Sequence, residues 1–150
     1  MSLQDKVMAA MKAAMKAKNN TELTALRAVK SAILLAQTES GAATELTEEQ
    51  ELKLLQKLVK QRKDSAAIYL EQDRKDLAQP ELDEAEVIAQ FLPEALSDDE
   101  IAKVVDAIIA QTNATSMKDM GKVMGLVSKQ LAGQADGKTI SNIVKAKLSQ

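Results

Sequence analysis

Lysine and glycine residues recur at helical spacing between Ser116 and Gln130, a combination suited to holding phosphate groups rather than to catalysis. At about 100° per residue, one side of this predicted helix carries Lys118, Lys122 and Lys129, and the opposite side carries Met117, Met120, Met124, Val127 and Leu131. Gly125 lies inside the lysine stripe, and Gly121 borders both stripes. A glycine in a helix costs about 1 kcal/mol relative to alanine. Gly125 therefore indicates the close approach of another chain, protein or nucleic acid.

A last predicted helix, capped by Asp136, extends this basic surface. Lys138 and Lys145 are seven residues apart and share one face of it, so the two helices would present a joint patch. Charge alone also fits a solvated lysine face of an ordinary helical bundle. We interpret Gly133 and Gly137 as turn glycines rather than contacts.

The aromatic content narrows the ligand that such a patch would bind. Tyr69 and Phe91 are the only aromatic residues, and neither lies in the lysine-rich region. Proteins that read single strands or RNA sequence stack bases on aromatic side chains, so phosphate and shape recognition of folded RNA is expected here. Binding by about three to five lysines would be weak and would fall with rising salt. The predicted RNA-binding residues are Lys118, Gly121, Lys122, Gly125, Lys129, Lys138 and Lys145.

Several kinds of chemistry are disfavoured by the composition. The chain has no histidine and no cysteine, which removes the commonest general base, the thiol nucleophile and the favoured zinc ligands. Neither a Walker loop nor a Gly-x-Ser-x-Gly elbow is present. Net charge is +4 over residues 1–63, −10 over 64–110 and +4 over 111–150, but the acidic middle lacks a calcium-loop pattern. We predict no catalytic residues, no metal and no cofactor.

The elements that must position the lysines are all helices. Ser2, Thr21, Thr47, Ser97, Ser116 and Asp136 are predicted caps, and Pro80 fits the first turn of a fourth helix that Pro93 stops. Residues 40–46 are predicted to form a loop. The sequence thus predicts an all-α protein with an N-terminal domain of long antiparallel helices, residues 1–93, and a small C-terminal three-helix bundle, residues 94–150.

Two further surfaces leave alternatives open. A second basic group lies on two adjacent predicted helices and consists of Arg27, Lys30, Lys60, Arg62 and Lys63. For these residues, pairing with Glu22, Asp64 or other nearby acids is preferred to a role in binding. The first helix repeats methionine at positions 8, 11 and 15 beside several lysines. It could bind a partner groove or a membrane surface, although packing against the second helix is preferred.

Five separated segments together resemble the GatB/YqeY family. They are residues 26–33 (LRAVKSAI), 60–65 (KQRKDS), 91–94 (FLPE), 117–125 (MKDMGKVMG) and 135–138 (ADGK). The resemblance implies a helical domain followed by a three-helix tail. In multidomain relatives, the B subunits of the glutamine-dependent amidotransferase that converts misacylated Glu-tRNA to Gln-tRNA, the similar C-terminal region grips the outer corner of tRNA. Their chemistry resides in other parts that this chain does not contain.

These observations lead to one main hypothesis and one alternative. The main hypothesis is a soluble, cytoplasmic, non-catalytic module that binds tRNA or other folded RNA, alone or together with a tRNA-modifying enzyme, and that does not enter membranes. The alternative is an accessory protein of a glutamine-dependent amidotransferase that contacts protein rather than RNA. A carbon–nitrogen ligase label would then attach by family association. The sequence does not define the oligomeric state.

Overall fold

The computed structural model describes residues 2–39 and 45–149, and this part of the chain is all-α, as predicted. Most of the loop predicted over residues 40–46 lies outside the described residues. The α-helices are α1 (Leu3–Lys16), α2 (Asn20–Glu39), α3 (Glu48–Glu71), α4 (Lys75–Ala89), α5 (Asp98–Thr112), α6 (Met120–Gln130) and α7 (Gly137–Leu148), with a 3₁₀ turn at Met117–Asp119 before α6.

The chain divides into two compact units, Met1–Leu92 and Pro93–Gln150, each with its own apolar core. In the first unit α3 and α4 form an antiparallel hairpin, α2 packs on α4, and α1 packs on α2. Leu26, Leu55 and Ile88 are fully buried in its core. Complete burial of each such side chain stabilises the fold by about 1.5–3 kcal/mol.

The second unit is a three-helix bundle in which α5, α6 and α7 all contact one another. Its buried core draws on every helix and on the connections between them: Ile101, Val105, Ile108, Ala114, Val123, Val127, Leu131, Ile140, Val144 and Leu148. All ten are aliphatic, in agreement with the near absence of aromatic residues from the sequence.

Local side-chain bonds begin most of the helices at the predicted residues. The Ser2 and Thr47 hydroxyls accept hydrogen bonds in complete capping boxes, and the Ser97 hydroxyl accepts from the Glu100 amide. The Asp136 carboxylate accepts from the Thr139 amide at 2.6 Å and starts α7. Each bond satisfies one of the amide groups that a helix leaves unpaired at its first turn.

Two predicted helix starts in the first unit are wrong. The cap of α2 is Asn19 rather than Thr21, because its side-chain oxygen accepts from the Glu22 amide at 3.1 Å. The fourth helix begins at Lys75, so Pro80 lies in its second turn and not its first. Proline removes one helical amide donor there, and the carbonyl it would have bonded belongs to the exposed Asp76, where water can replace it.

Three helices end in residues with left-handed backbone that are not glycine. Lys18, Asp73 and Asn113 have φ of 55°, 59° and 55°. After Asp73, the amide of Arg74 donates to the Tyr69 carbonyl at 2.8 Å, and Asp73 itself donates to Leu70 at 3.1 Å. This is the Schellman arrangement, which closes a helix and turns the chain sharply. It lets α4 follow α3 after three residues.

Candidate nucleic-acid interface

Helix α6 presents an apolar side to its own bundle and a glycine–lysine side to solvent. Val123 and Val127 are fully buried, and Met120 and Met124 pack against the same core. Four residues of the opposite side are exposed, and we call them the glycine–lysine face: Gly121, Lys122, Gly125 and Lys129. The predicted division of this helix into an apolar and a basic side therefore holds within α6.

The predicted single helix from Ser116 is wrong at its first turn. Residues 117–119 form a 3₁₀ turn, and α6 begins at Met120. The Ser116 hydroxyl accepts from the Lys118 amide at 3.4 Å, and the Asp119 carboxylate accepts from the Thr115 amide at 3.0 Å. These bonds hold the turn, and Lys118 is exposed in this turn rather than in α6 itself.

The change of helix type also alters the predicted apolar stripe. Met117 is 42% exposed and lies outside the core, whereas Val123, which the predicted stripe omitted, is fully buried. Met117 belongs to the 3₁₀ turn that precedes α6, outside the helix whose repeat places Met120 and Met124 against the core.

Neither glycine of the face is required by the fold. A Cβ atom built on Gly121 or Gly125 would meet no neighbouring atom within 4 Å. Both residues lie inside α6, and among the described glycines only Gly133, with φ of 80°, has a left-handed backbone. Neither packing nor backbone conformation accounts for two helix-weakening residues one turn apart.

The five predicted RNA-binding lysines carry charge that the described part of the protein does not neutralise. Lys118, Lys122, Lys129, Lys138 and Lys145 are all exposed, and none has a carboxylate within 4.0 Å among the described residues. Lys147 differs, since its ammonium group lies 3.2 Å from the Asp106 carboxylate on α5. Lys138 and Lys145 lie on the same exposed side of α7, which packs against α6.

An exposed leucine on α6 was not anticipated from the sequence. Leu126 is 42% exposed, and helical spacing puts it four residues after Lys122 and three before Lys129. It supplies apolar surface next to two ammonium groups and the bare backbone of Gly125. Its exposure became evident only once Val123 and Val127 were known to define the buried side.

One member of the second basic group, Arg62, is partly buried and forms an ion pair. Arg62 lies between α3 and α4, with its Nε 3.9 Å from Glu84 Oε1 and side-chain exposures of 15% and 18%. Its Nη1 donates to the Leu58 carbonyl at 3.2 Å. Pairing with a nearby acid was the preferred interpretation, and for Arg62 the partner is Glu84 rather than Glu22 or Asp64.

The family described as Yqey-like protein matches residues 4–148, which is nearly the whole chain. The chain belongs to this family. The resemblance drawn from the five sequence segments is thereby confirmed.

The relatives of the chain include two yeast proteins named "Altered inheritance of mitochondria protein 41, mitochondrial". The one from Clavispora lusitaniae is 39% identical over 125 residues, covering 81% of this chain and 69% of that protein. The one from Kluyveromyces lactis is 32% identical over 139 residues, covering 91% and 70%. Both names refer to mitochondria, so the predicted cytoplasmic location is not supported by these relatives.

A third relative links the family to amidotransferases. It is a subunit of the glutamyl-tRNA(Gln) amidotransferase from Thermococcus gammatolerans, 33% identical over 81 residues, which are 51% of this chain and 13% of that protein. The match thus concerns a small part of a much larger polypeptide.

Within the described part of the chain, no helix has the length and apolar character needed to cross a bilayer.

Proposed function

We propose that the C-terminal unit is a non-catalytic module that binds folded RNA, tRNA above all, through the glycine–lysine face together with Lys118, Lys138 and Lys145. The observation that carries this proposal is the pair of glycines without an internal role. A helix that lacks side chains beside unpaired lysines lets a phosphate backbone approach the peptide groups closely. The relationship to part of a glutamyl-tRNA(Gln) amidotransferase favours tRNA as the ligand.

The side chains of the face suit a site that recognises the shape and the phosphates of an RNA rather than its base sequence. Ammonium groups supply non-directional attraction to phosphates, which makes affinity depend on salt. The exposed residues of the described bundle include no aromatic side chain on which a base could stack. Leu126 offers an apolar contact to ribose without reading sequence.

A salt titration of tRNA binding tests the proposal. The variant Lys118→Gln, Lys122→Gln, Lys129→Gln is compared with the wild type and with Lys12→Gln, Lys16→Gln, Lys75→Gln, which removes the same charge from exposed positions of the first unit. Each lost phosphate contact should reduce the slope of log affinity against log salt by about 0.7–0.9. We expect the first variant to lose on the order of tenfold in affinity and the second to change little.

A duplex DNA competitor and thermal melting complete the design. Preference for tRNA over DNA, with unchanged melting of both variants, supports folded RNA as the ligand. Unchanged affinity of the first variant, or no tRNA binding by the wild type at low salt, would overturn the proposal. The accessory-protein alternative would then be favoured, and capture of amidotransferase subunits would be its test.

A further inference from the structure

A cavity of about 460 Å³ opens in the first unit, where the start of α1, the first turns of α3 and the end of α4 come together. Its apolar lining is supplied by Leu3, Leu52, Leu55 and Phe91. Leu3 and Leu55 are buried parts of the core, whereas Leu52 and Phe91 are partly exposed. The volume lies within the range of about 300–1,000 Å³ that is usual for small-molecule sites.

Three charged residues also line this cavity, and their sum is negative. Glu48 and Glu51 lie one turn apart on α3, and Lys6 lies on α1. None of the three has an ion-pair partner within 4.0 Å among the described residues. Burial raises the pKa of Glu51 above its ordinary value, and Glu48 raises it further, while Lys6 acts in the opposite direction. The negative charge is therefore incompletely compensated.

Helix stability alone accounts for acidic residues in this turn but not for their surroundings. Carboxylates near a helix N-terminus interact favourably with the helix dipole wherever their side chains point. Glu49, in the same turn, has an exposed side chain and an ion pair with Lys53 at 2.9 Å, as a purely structural acid would. Glu51 instead lines the cavity with a partly buried side chain, where an ionised carboxylate loses solvation without gaining an ion-pair partner among the described residues.

We propose that this cavity binds an aliphatic cation, either an alkylammonium or an alkylguanidinium group. Its methylene groups would lie against Leu52 and Phe91, and its charge would lie between Glu48 and Glu51. Such a group occurs in free aliphatic amines and in the lysine and arginine side chains of a protein. The site belongs to the first unit and is independent of the proposed RNA interface.

The test is a titration of the full ¹⁵N-labelled chain with n-pentylammonium chloride, followed by amide chemical shifts. The matched controls are neutral 1-pentanol and sodium chloride at the same ionic strength. We expect saturable shifts, with a dissociation constant in the millimolar range for so small a ligand, confined to residues 2–7, 48–55 and 90–92. Glu51→Gln should weaken binding by about three- to fivefold, and Glu49→Gln should leave it unchanged.

Equal binding of the alcohol, equal effects of the two glutamate substitutions, or shifts that do not saturate would each overturn the proposal. A second arm identifies the source of the cation by comparing pentylammonium with the peptide acetyl-Leu-Lys-Leu-amide. Tighter binding of the peptide supports a protein side chain as the natural ligand, and tighter binding of the free amine supports a small molecule. No RNA is present in this test, so its failure leaves the proposed function standing.

Discussion

Gly121 and Gly125 lie one turn apart on the exposed side of α6, and a Cβ atom added to either would meet no neighbouring atom within 4 Å. The fold therefore gains nothing from their missing side chains and loses helix propensity at both positions. The RNA interface proposed above would explain both glycines, and it leads to a prediction in which stability and binding change in opposite directions.

Gly125→Ala is expected to stabilise the protein by about 0.5–1 kcal/mol, because alanine restricts the unfolded chain and favours the helix. The same substitution should weaken tRNA binding, and Gly125→Leu should weaken it more, since each added atom separates the ligand from the backbone. Urea unfolding and the tRNA titration measure the two effects. Gly137→Ala is the matched control, because its Cβ also meets nothing within 4 Å and it lies at the first position of α7, outside the glycine–lysine face.

Wild-type tRNA affinity in both Gly125 variants would show that this glycine has no role in the interface. Loss of stability on substitution by alanine would instead contradict the open space found around it. Reduced affinity in Gly137→Ala as well would move the contact toward the start of α7.

A second prediction tests which residue at the start of this bundle helix is part of the core: Val123, as the structure shows, or Met117, as the methionine spacing predicts. Val123→Ala should destabilise the second unit by about 1–3 kcal/mol, because it removes buried methyl groups and leaves a cavity. Met117→Ala should change stability by less than about 0.5 kcal/mol, because its side chain is 42% exposed. Urea unfolding of the two variants measures both values. A larger loss of stability at Met117 would mean that its side chain packs in the core, as the predicted continuous helix requires.

Strong cap signals were read correctly from the sequence, and weak or competing local signals, such as Asn19 against Thr21 at the start of α2, were not. The caps at Ser2, Thr47 and Asp136 could be predicted because each bond joins residues three positions apart. The start of α4 could not, because it follows from the left-handed Asp73, a conformation that the sequence signals weakly without glycine. Pro80 was then the strongest remaining signal, and it pointed five residues too far along the chain.

The candidate site shows the same division. Periodicity placed Lys122, Gly125 and Lys129 together on the exposed side of α6, since that relation depends only on the helix repeat. It placed Lys118 in the same α-helix, whereas the bonds of Ser116 and Asp119 hold Lys118 in a 3₁₀ turn before α6. The exposed Leu126 was missed because contacts with α5 and α7 decide which apolar residues are buried.

The ion pair between Arg62 and Glu84 gives a third prediction. Both side chains are largely buried, yet the Nε to Oε1 distance is 3.9 Å, and the buried Nε has no hydrogen-bond partner. Glu84→Gln should destabilise the first unit by about 1–2 kcal/mol, because it leaves the guanidinium charge desolvated without a counter-charge. The double variant Arg62→Met, Glu84→Gln should recover part of this loss, because the unpaired charge is gone.

Urea unfolding of the two single variants and the double variant measures the coupling, and a value near 1 kcal/mol is expected for residues in such contact. Asp76→Asn is the matched control, because the Arg74–Asp76 pair is exposed and joins neighbours on one chain segment. It should shift the midpoint less than Glu84→Gln does. Additive effects at Arg62 and Glu84 would mean that the pair contributes nothing to stability beyond its two separate side chains.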